Sequence, residues 1–159
     1  MRLGIVSDTH GHVPYAADAV RMLEEFAVDA VLHCGDVGSG EIVRLFAKWP
    51  AHFVLGNVDH GPTIRAAAAQ CGATFHGPFA SLLLDGLRIA MLHGDDGRRL
   101  AETIEGGRYA LVCHGHTHVP ARKLVGSTVV LNPGALYRAN PHTLAIVELP
   151  SLETEIVAV

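Results

Sequence analysis

Cys113-His114-Gly115-His116-Thr117-His118 packs three imidazoles into six residues, directly after the apolar, β-prone run Tyr109-Ala110-Leu111-Val112. Imidazole is the commonest metal ligand, and two of them one residue apart share a small volume only when something cationic holds them there. Alone, the pair reads equally well as polar residues in a surface turn. Four further loops change that balance. Asp8-Thr9-His10, Gly35-Asp36, Gly56-Asn57 and His93-Gly94 each follow a strand-like run as well. The five loops pool Asp8, His10, Asp36, Asn57, His93, His116 and His118, all oxygen or nitrogen donors of intermediate hardness. That is too many for one tetrahedral ion, but it suits two cations about 3.5 to 4 Å apart that share a carboxylate. Asp36 is the candidate for the shared group. Each residue has an ordinary alternative: Asp8 can cap a helix, Asn57 can hold a turn, His93 can be a satisfied core histidine. Five such coincidences at strand ends are less economical than one metal site.

The elements that must place these loops follow from hydrophobic period. Leu3–Val6 reads as a strand, and Pro14 opens a helix over Ala16–Ala27 whose buried side draws on Ala17, Val20, Met22, Leu23 and Phe26. Asp29–Cys34 is a second strand, with a helix over Glu41–Lys48 stopped by Trp49-Pro50. His52–Leu55 is a third, with a helix from Thr63 to Gln70 closed by Cys71-Gly72. Three strand-loop-helix units in succession predict a parallel sheet. After Gln70 the pattern changes. Ser81–Leu84 and Leu87–Leu92 flank Asp85-Gly86, a turn pair suited to positive φ, and predict a hairpin that delivers His93 to a strand end. A helix is expected over Gly97–Glu105, a strand over Tyr109–Cys113, a hairpin over Ala121–Val125 and Thr128–Leu131, and a last antiparallel pair over His142–Leu149 and Thr154–Val157. These antiparallel strands are expected to form a mixed second sheet. The fold class is therefore α/β, two mixed sheets packed face to face with flanking helices, an α/β/β/α sandwich.

At 159 residues the chain has the size of one ordinary domain, and we treat 1–159 as a single unit. A net charge of −4, with Lys and Arg never clustered beyond a pair, argues against an extended nucleic-acid surface or an anionic membrane and leaves a small phosphate ligand open. Cys34, Cys71 and Cys113 are odd in number and unpatterned, which points away from a disulfide framework and toward the cytoplasm. No signal-peptide core precedes Ser7, and no run reaches the length of a membrane span. Exposed edge strands of a two-sheet sandwich make a homodimer an expectation.

Asp8-Thr9-His10, Gly35-Asp36, Gly56-Asn57, His93 and Gly115-His116-Thr117-His118, in this order and over most of the chain, resemble the calcineurin-like metallophosphoesterases, specifically their small bacterial and archaeal phosphodiesterase branch. Asn132-Pro133-Gly134 resembles that branch too. The resemblance implies that Asp8, His10, Asp36 and His118 hold one metal while Asp36, Asn57, His93 and His116 hold the other. Larger phosphatases of the superfamily carry a histidine directly after the ligand asparagine, where it helps protonate the leaving group. Here that position is Val58, and His60 is the substitute considered; Asp36, Asn57 and His60 are the catalytic candidates. His12 and His114 are candidates for touching phosphate or orienting a ligand, and His33 is expected to be structural. The expected activity is hydrolysis of a small phosphate ester, a diester before a monoester, by in-line attack of a hydroxide bridging two divalent ions. Mn fits this ligand set, as do Ni, Fe and Zn. The alternatives are a protein-binding scaffold of the same fold, as in a retromer subunit of the superfamily, and a one-metal phosphatase.

Overall fold

A computed structural model describes residues 1–159. The first half alternates as expected: β1 (Arg2–Val6), α1 (Val13–Glu25), β2 (Ala30–His33), α2 (Gly40–Phe46), β3 (Ala51–Phe53) and α3 (Gly61–Cys71). A two-residue strand that the sequence pattern did not expose, β4 (Thr74–Phe75), follows α3. The second half supplies β5 (Phe79–Leu84), β6 (Leu87–Leu92), α4 (Gly97–Glu105), β7 (Leu111–Cys113), β8 (Ala121–Val125), β9 (Thr128–Asn132), β10 (Thr143–Glu148) and β11 (Glu153–Ala158). Asp85 and Gly86 both adopt positive φ in the turn between β5 and β6, as a tight hairpin requires.

One sheet runs β11-β10-β1-β2-β3-β4 and the other β5-β6-β7-β9-β8. The expected sandwich is present, with one correction. The C-terminal pair does not enter the second sheet: β10 lies antiparallel against β1 and extends the first. Successive crossovers carry the chain from β1 outward through β2 and β3, so the opposite edge of β1 stays free to accept it.

The layers are held by separate apolar faces. Leu3, Ile5 and Leu32 from the first sheet, with Val54 just after β3, meet Ile89, Met91, Leu111 and Leu131 from the second in an apolar interface. Helices α1 to α3 cover the outer face of the first sheet around Phe46 and Phe53. The buried side of α1 is built from Ala16, Ala19 and Leu23, while the larger Val20, Met22 and Phe26 pack at its margin. Small residues face the sheet because they allow a helix to approach it closely. On the other side α4 packs Leu100 and Ile104 over Ala90, Leu92 and Val112.

Because β1, β2 and β3 are parallel and in step, Val6, His33 and Phe53 end on one row. Met91, Cys113 and Leu131 do the same in the parallel core of the second sheet. Every loop carrying a candidate ligand therefore leaves the sandwich at the same end.

Candidate metal centre

The loops bend sharply where they meet. Asp8, His10, Asp36, His116 and His118 all adopt positive φ, between 47° and 69°. Non-glycine residues rarely do so, and a cluster of them marks a site whose geometry is imposed by its surroundings. Glycines complete the approach. A Cβ on Gly115 would fall on Ser7 and Asp8, and one on Gly56 on Asp36, so the second chain in each pair can come this close only without a side chain.

At one end, Asp8, His10 and His118 bring a ligand atom each within 4.8 Å of one another. His118 Nδ1 donates to the carbonyl of Arg138 at 3.2 Å, which leaves the lone pair of Nε2 facing Asp8 Oδ1 at 3.2 Å and His10 Nε2 at 3.4 Å. Asp8 Oδ1 is fully buried and has no hydrogen-bond partner. A carboxylate oxygen and two imidazole lone pairs aimed at one point repel one another unless a cation lies between them. This donor set fits a divalent metal.

At the other end, His93 Nδ1 donates to the Cys34 carbonyl at 2.8 Å, and Nε2 faces Asn57 Oδ1 at 3.0 Å and Asp36 Oδ2 at 3.4 Å. The His116 ring stands edge-on to His93 at 5.1 Å, and its backbone N–H donates to Asp8 Oδ2 at 3.1 Å. Asp36 lies between the two groups, with Oδ2 3.7 Å from His10 Nε2 and Oδ1 accepting from the Val58 N–H at 3.1 Å. Donor atoms of Asp8, His10, Asp36, Asn57, His93 and His118 thus lie together, with the His116 ring beside His93.

The close packing of carboxylates and imidazoles shifts their proton affinities. Burial disfavours a charged His93, but its hydrogen bonds to Asp36 and to the Cys34 carbonyl outweigh this and lift its pKa to about 8. Burial likewise works to raise Asp36, yet the His93 and Val58 hydrogen bonds hold it below the usual carboxylate range. His10 is lowered by burial despite both carboxylates, and the charges of His118 and Arg138 push the same way. A proton on His93 occupies the place a cation would take.

The remaining histidines divide. His33 is fully buried, its pKa lowered to about 3 by desolvation, and its Nε2 meets Thr9 Oγ1 at 2.9 Å while Thr9 donates to the Val37 carbonyl. It braces the loop between Asp8 and His10, the structural role expected. His12 is the N-cap of α1 and stacks between Tyr15 and Tyr137. His114 is half-buried and bonded to the Gly115 carbonyl. His60 is exposed at the N-terminus of α3, with Nδ1 engaged by Thr63 Oγ1 at 2.8 Å rather than by any of the seven ligands. Val58, directly after Asn57 in the chain, is 58% exposed. Cys34 and Cys113 are buried filler whose thiols desolvation raises.

Sequence reasoning missed Asp59. Its carboxylate accepts from the backbone N–H groups of Val37, Gly38 and Gly56 at 3.1, 2.8 and 2.9 Å, tying together the loops that carry Asp36 and Asn57. The signal was an aspartate in a glycine-rich turn, which is common in turns without function. It also missed the segment after Pro133-Gly134. There the N–H groups of Leu136 and Tyr137 donate to the carbonyls of Ser7 and Asp8, each at 3.1 Å.

The calcineurin-like phosphoesterase superfamily domain matches residues 1–151, and the chain belongs to that superfamily of divalent-metal-dependent hydrolases. The phosphodiesterase MJ0936 of Methanocaldococcus jannaschii is 31% identical over 139 residues, covering 84% of this chain and 83% of the relative. The structure of a novel archaeal phosphodiesterase superposes with a TM-score of 0.92 over 100% of both chains at 27% identity. Vps29 of Entamoeba histolytica, solved with zinc, shares the fold at a TM-score of 0.67 and 19% identity, covering 99% of both chains. No helix is long and apolar enough to cross a membrane.

Proposed function

We propose that this chain is a binuclear metal-dependent phosphodiesterase acting on a small phosphate ester. The observation that carries the reading is the position of Asp36, whose Oδ2 faces His10 on one side and His93 on the other. One ligand set is Asp8, His10, Asp36 and His118; the other is Asp36, Asn57, His93 and His116. Bound divalent ions supply Lewis acidity and lower the pKa of a coordinated water toward neutrality. The chain's part is to hold the donors rigid. Arg138 and Cys34 carbonyls fix the His118 and His93 ring orientations, the Val58 and His116 N–H groups fix the Asp36 and Asp8 carboxylates, and the strained loops keep the arrangement before substrate arrives.

An open cavity of about 390 Å³ reaches Asn57 and His93 and is rimmed by Asp59, Asp95, Asp96 and Arg99. Its size suits a small ester, and its acidic rim favours the singly charged phosphate of a diester over a dianion. Mn is the proposed metal. Protonation of the leaving group is assigned to His60, whose Nε2 makes no protein hydrogen bond; His60→Ala should slow alkyl esters more than nitrophenyl esters, and equal effects would remove the assignment. Three unpaired cysteines, two of them buried, support a reducing cytoplasmic setting.

The test is metal stoichiometry with activity. Chelation should abolish hydrolysis of bis-p-nitrophenyl phosphate, Mn²⁺ should restore it, and titration should give two ions per chain. One ion at saturation would reduce the site to a mononuclear one. Full activity in a chain shown by elemental analysis to be metal-free would end the reading.

A further inference from the structure

Arg138 follows Tyr137, whose backbone N–H is bonded to the Asp8 carbonyl, and its own carbonyl accepts from His118. Its backbone is therefore fixed at the Asp8–His10–His118 end of the site. Its side chain is exposed, and its guanidinium is in no ion pair and no hydrogen bond, so its donors are free to take a ligand. Beside it lies a cluster of rings. The guanidinium sits 5.6 Å over Tyr137, Tyr137 stacks on His12 at 4.6 Å, His12 on Tyr15 at 4.4 Å, and Tyr15 meets His142 at 3.9 Å. The Tyr137 ring is in turn 6.3 Å from that of His10.

Two features say that this cation is placed for a ligand. Arg138 adopts φ 57°, a conformation in which glycine or asparagine would be unstrained, so the backbone does not explain an arginine. A guanidinium carried on backbone that is bonded to His118, at a donor set suited to divalent cations, also adds like charge there, which is unfavourable unless an anion comes between them. Guanidinium forks match phosphate oxygens well.

We propose that Arg138 is a substrate-binding residue that takes a non-bridging phosphate oxygen at the Asp8–His10–His118 end of the site, with Tyr137, packed in the ring cluster, beneath its guanidinium. This rests on the phosphoesterase reading above and adds to it the cation that no ligand loop contains. A phosphomonoester dianion gains more from this contact than a diester monoanion, so Arg138 moderates the diester preference.

The experiment uses the full chain loaded with Mn²⁺ and inorganic phosphate as the probe. Arg138→Asn keeps a residue tolerant of positive φ, and Arg138→Lys keeps the charge without the fork. Calorimetry should show Mn²⁺ stoichiometry and affinity within about twofold of wild type in both variants, which also reports that they are folded. Phosphate binding should weaken by about 10- to 100-fold in the Asn variant, the range of a charge-assisted hydrogen bond, and by less in the Lys variant. KM for p-nitrophenyl phosphate should rise more than KM for the bis ester. Unchanged phosphate affinity with intact Mn²⁺ binding overturns the proposal, and loss of Mn²⁺ binding in Arg138→Asn overturns it too by making the residue a scaffold for His118. A wild-type chain that binds Mn²⁺ but no phosphate would refute the phosphoesterase reading itself, and this proposal with it.

Discussion

Gly56→Ala changes no candidate ligand, yet it should damage the site by pushing its loop away from Asp36. A Cβ at this position would lie on the Asp36 backbone nitrogen and Oδ1, and 2.8 Å from Asp36 Cα. Two of these three atoms are main chain and cannot rotate aside. Restoring ordinary van der Waals separation moves the two loops apart by about 1 Å. Metal sites tolerate ligand displacements of about 0.2 Å, so the shared carboxylate would be carried well outside its working range. Overpacking of this kind costs about 1 to 3 kcal/mol of stability, which leaves a typical domain folded. Metal affinity should fall by at least the 10- to 100-fold seen when outer supports of a metal site are lost. Calorimetric Mn²⁺ titration and urea unfolding in chelator read the two effects separately. Gly97→Ala is the control, because a Cβ there meets nothing within 4 Å at the first turn of α4. Wild-type Mn²⁺ affinity in Gly56→Ala, with unchanged stability, would refute the claim that Asp36 is a ligand held by close loop contact.

Asp59→Ala should cost about 2 to 4 kcal/mol and weaken Mn²⁺ binding, since three backbone N–H groups lose one charged acceptor; urea midpoints and Mn²⁺ titration check it, and a neutral result would deny the brace. His93, with a folded pKa of about 8 against about 6.5 unfolded, stabilises the metal-free chain fully below about pH 6.5. That contribution, on the order of 1 to 2 kcal/mol, is lost as pH rises through 8. Chelated wild type should therefore lose more stability between pH 6.5 and 9 than chelated His93→Gln, and parallel curves would contradict the assignment. Because Mn²⁺ must displace the same proton, its apparent affinity should climb with pH and level off above about 8; a titration series at fixed ionic strength measures this, and a flat profile would speak against His93 as a ligand.

The seven candidate donors and the kind of architecture that could collect them were legible in the sequence. Each donor follows a short apolar run, and that is a local property: period two or a buried run marks the strand, and glycine with a polar residue marks its end. The hairpin at Asp85-Gly86 and the helix Gly97–Glu105 were equally readable, because turn chemistry and helical period are written in adjacent residues. Tertiary structure alone decided which sheet takes the C-terminal strands, since β10 pairs with a strand more than a hundred residues away and either sheet would bury its apolar face. The same is true of Asp59 and of the Thr9 contact that His33 makes. Both depend on groups supplied by other loops, and a residue's long-range neighbours are fixed only when the strand ends are brought to one edge of the sandwich.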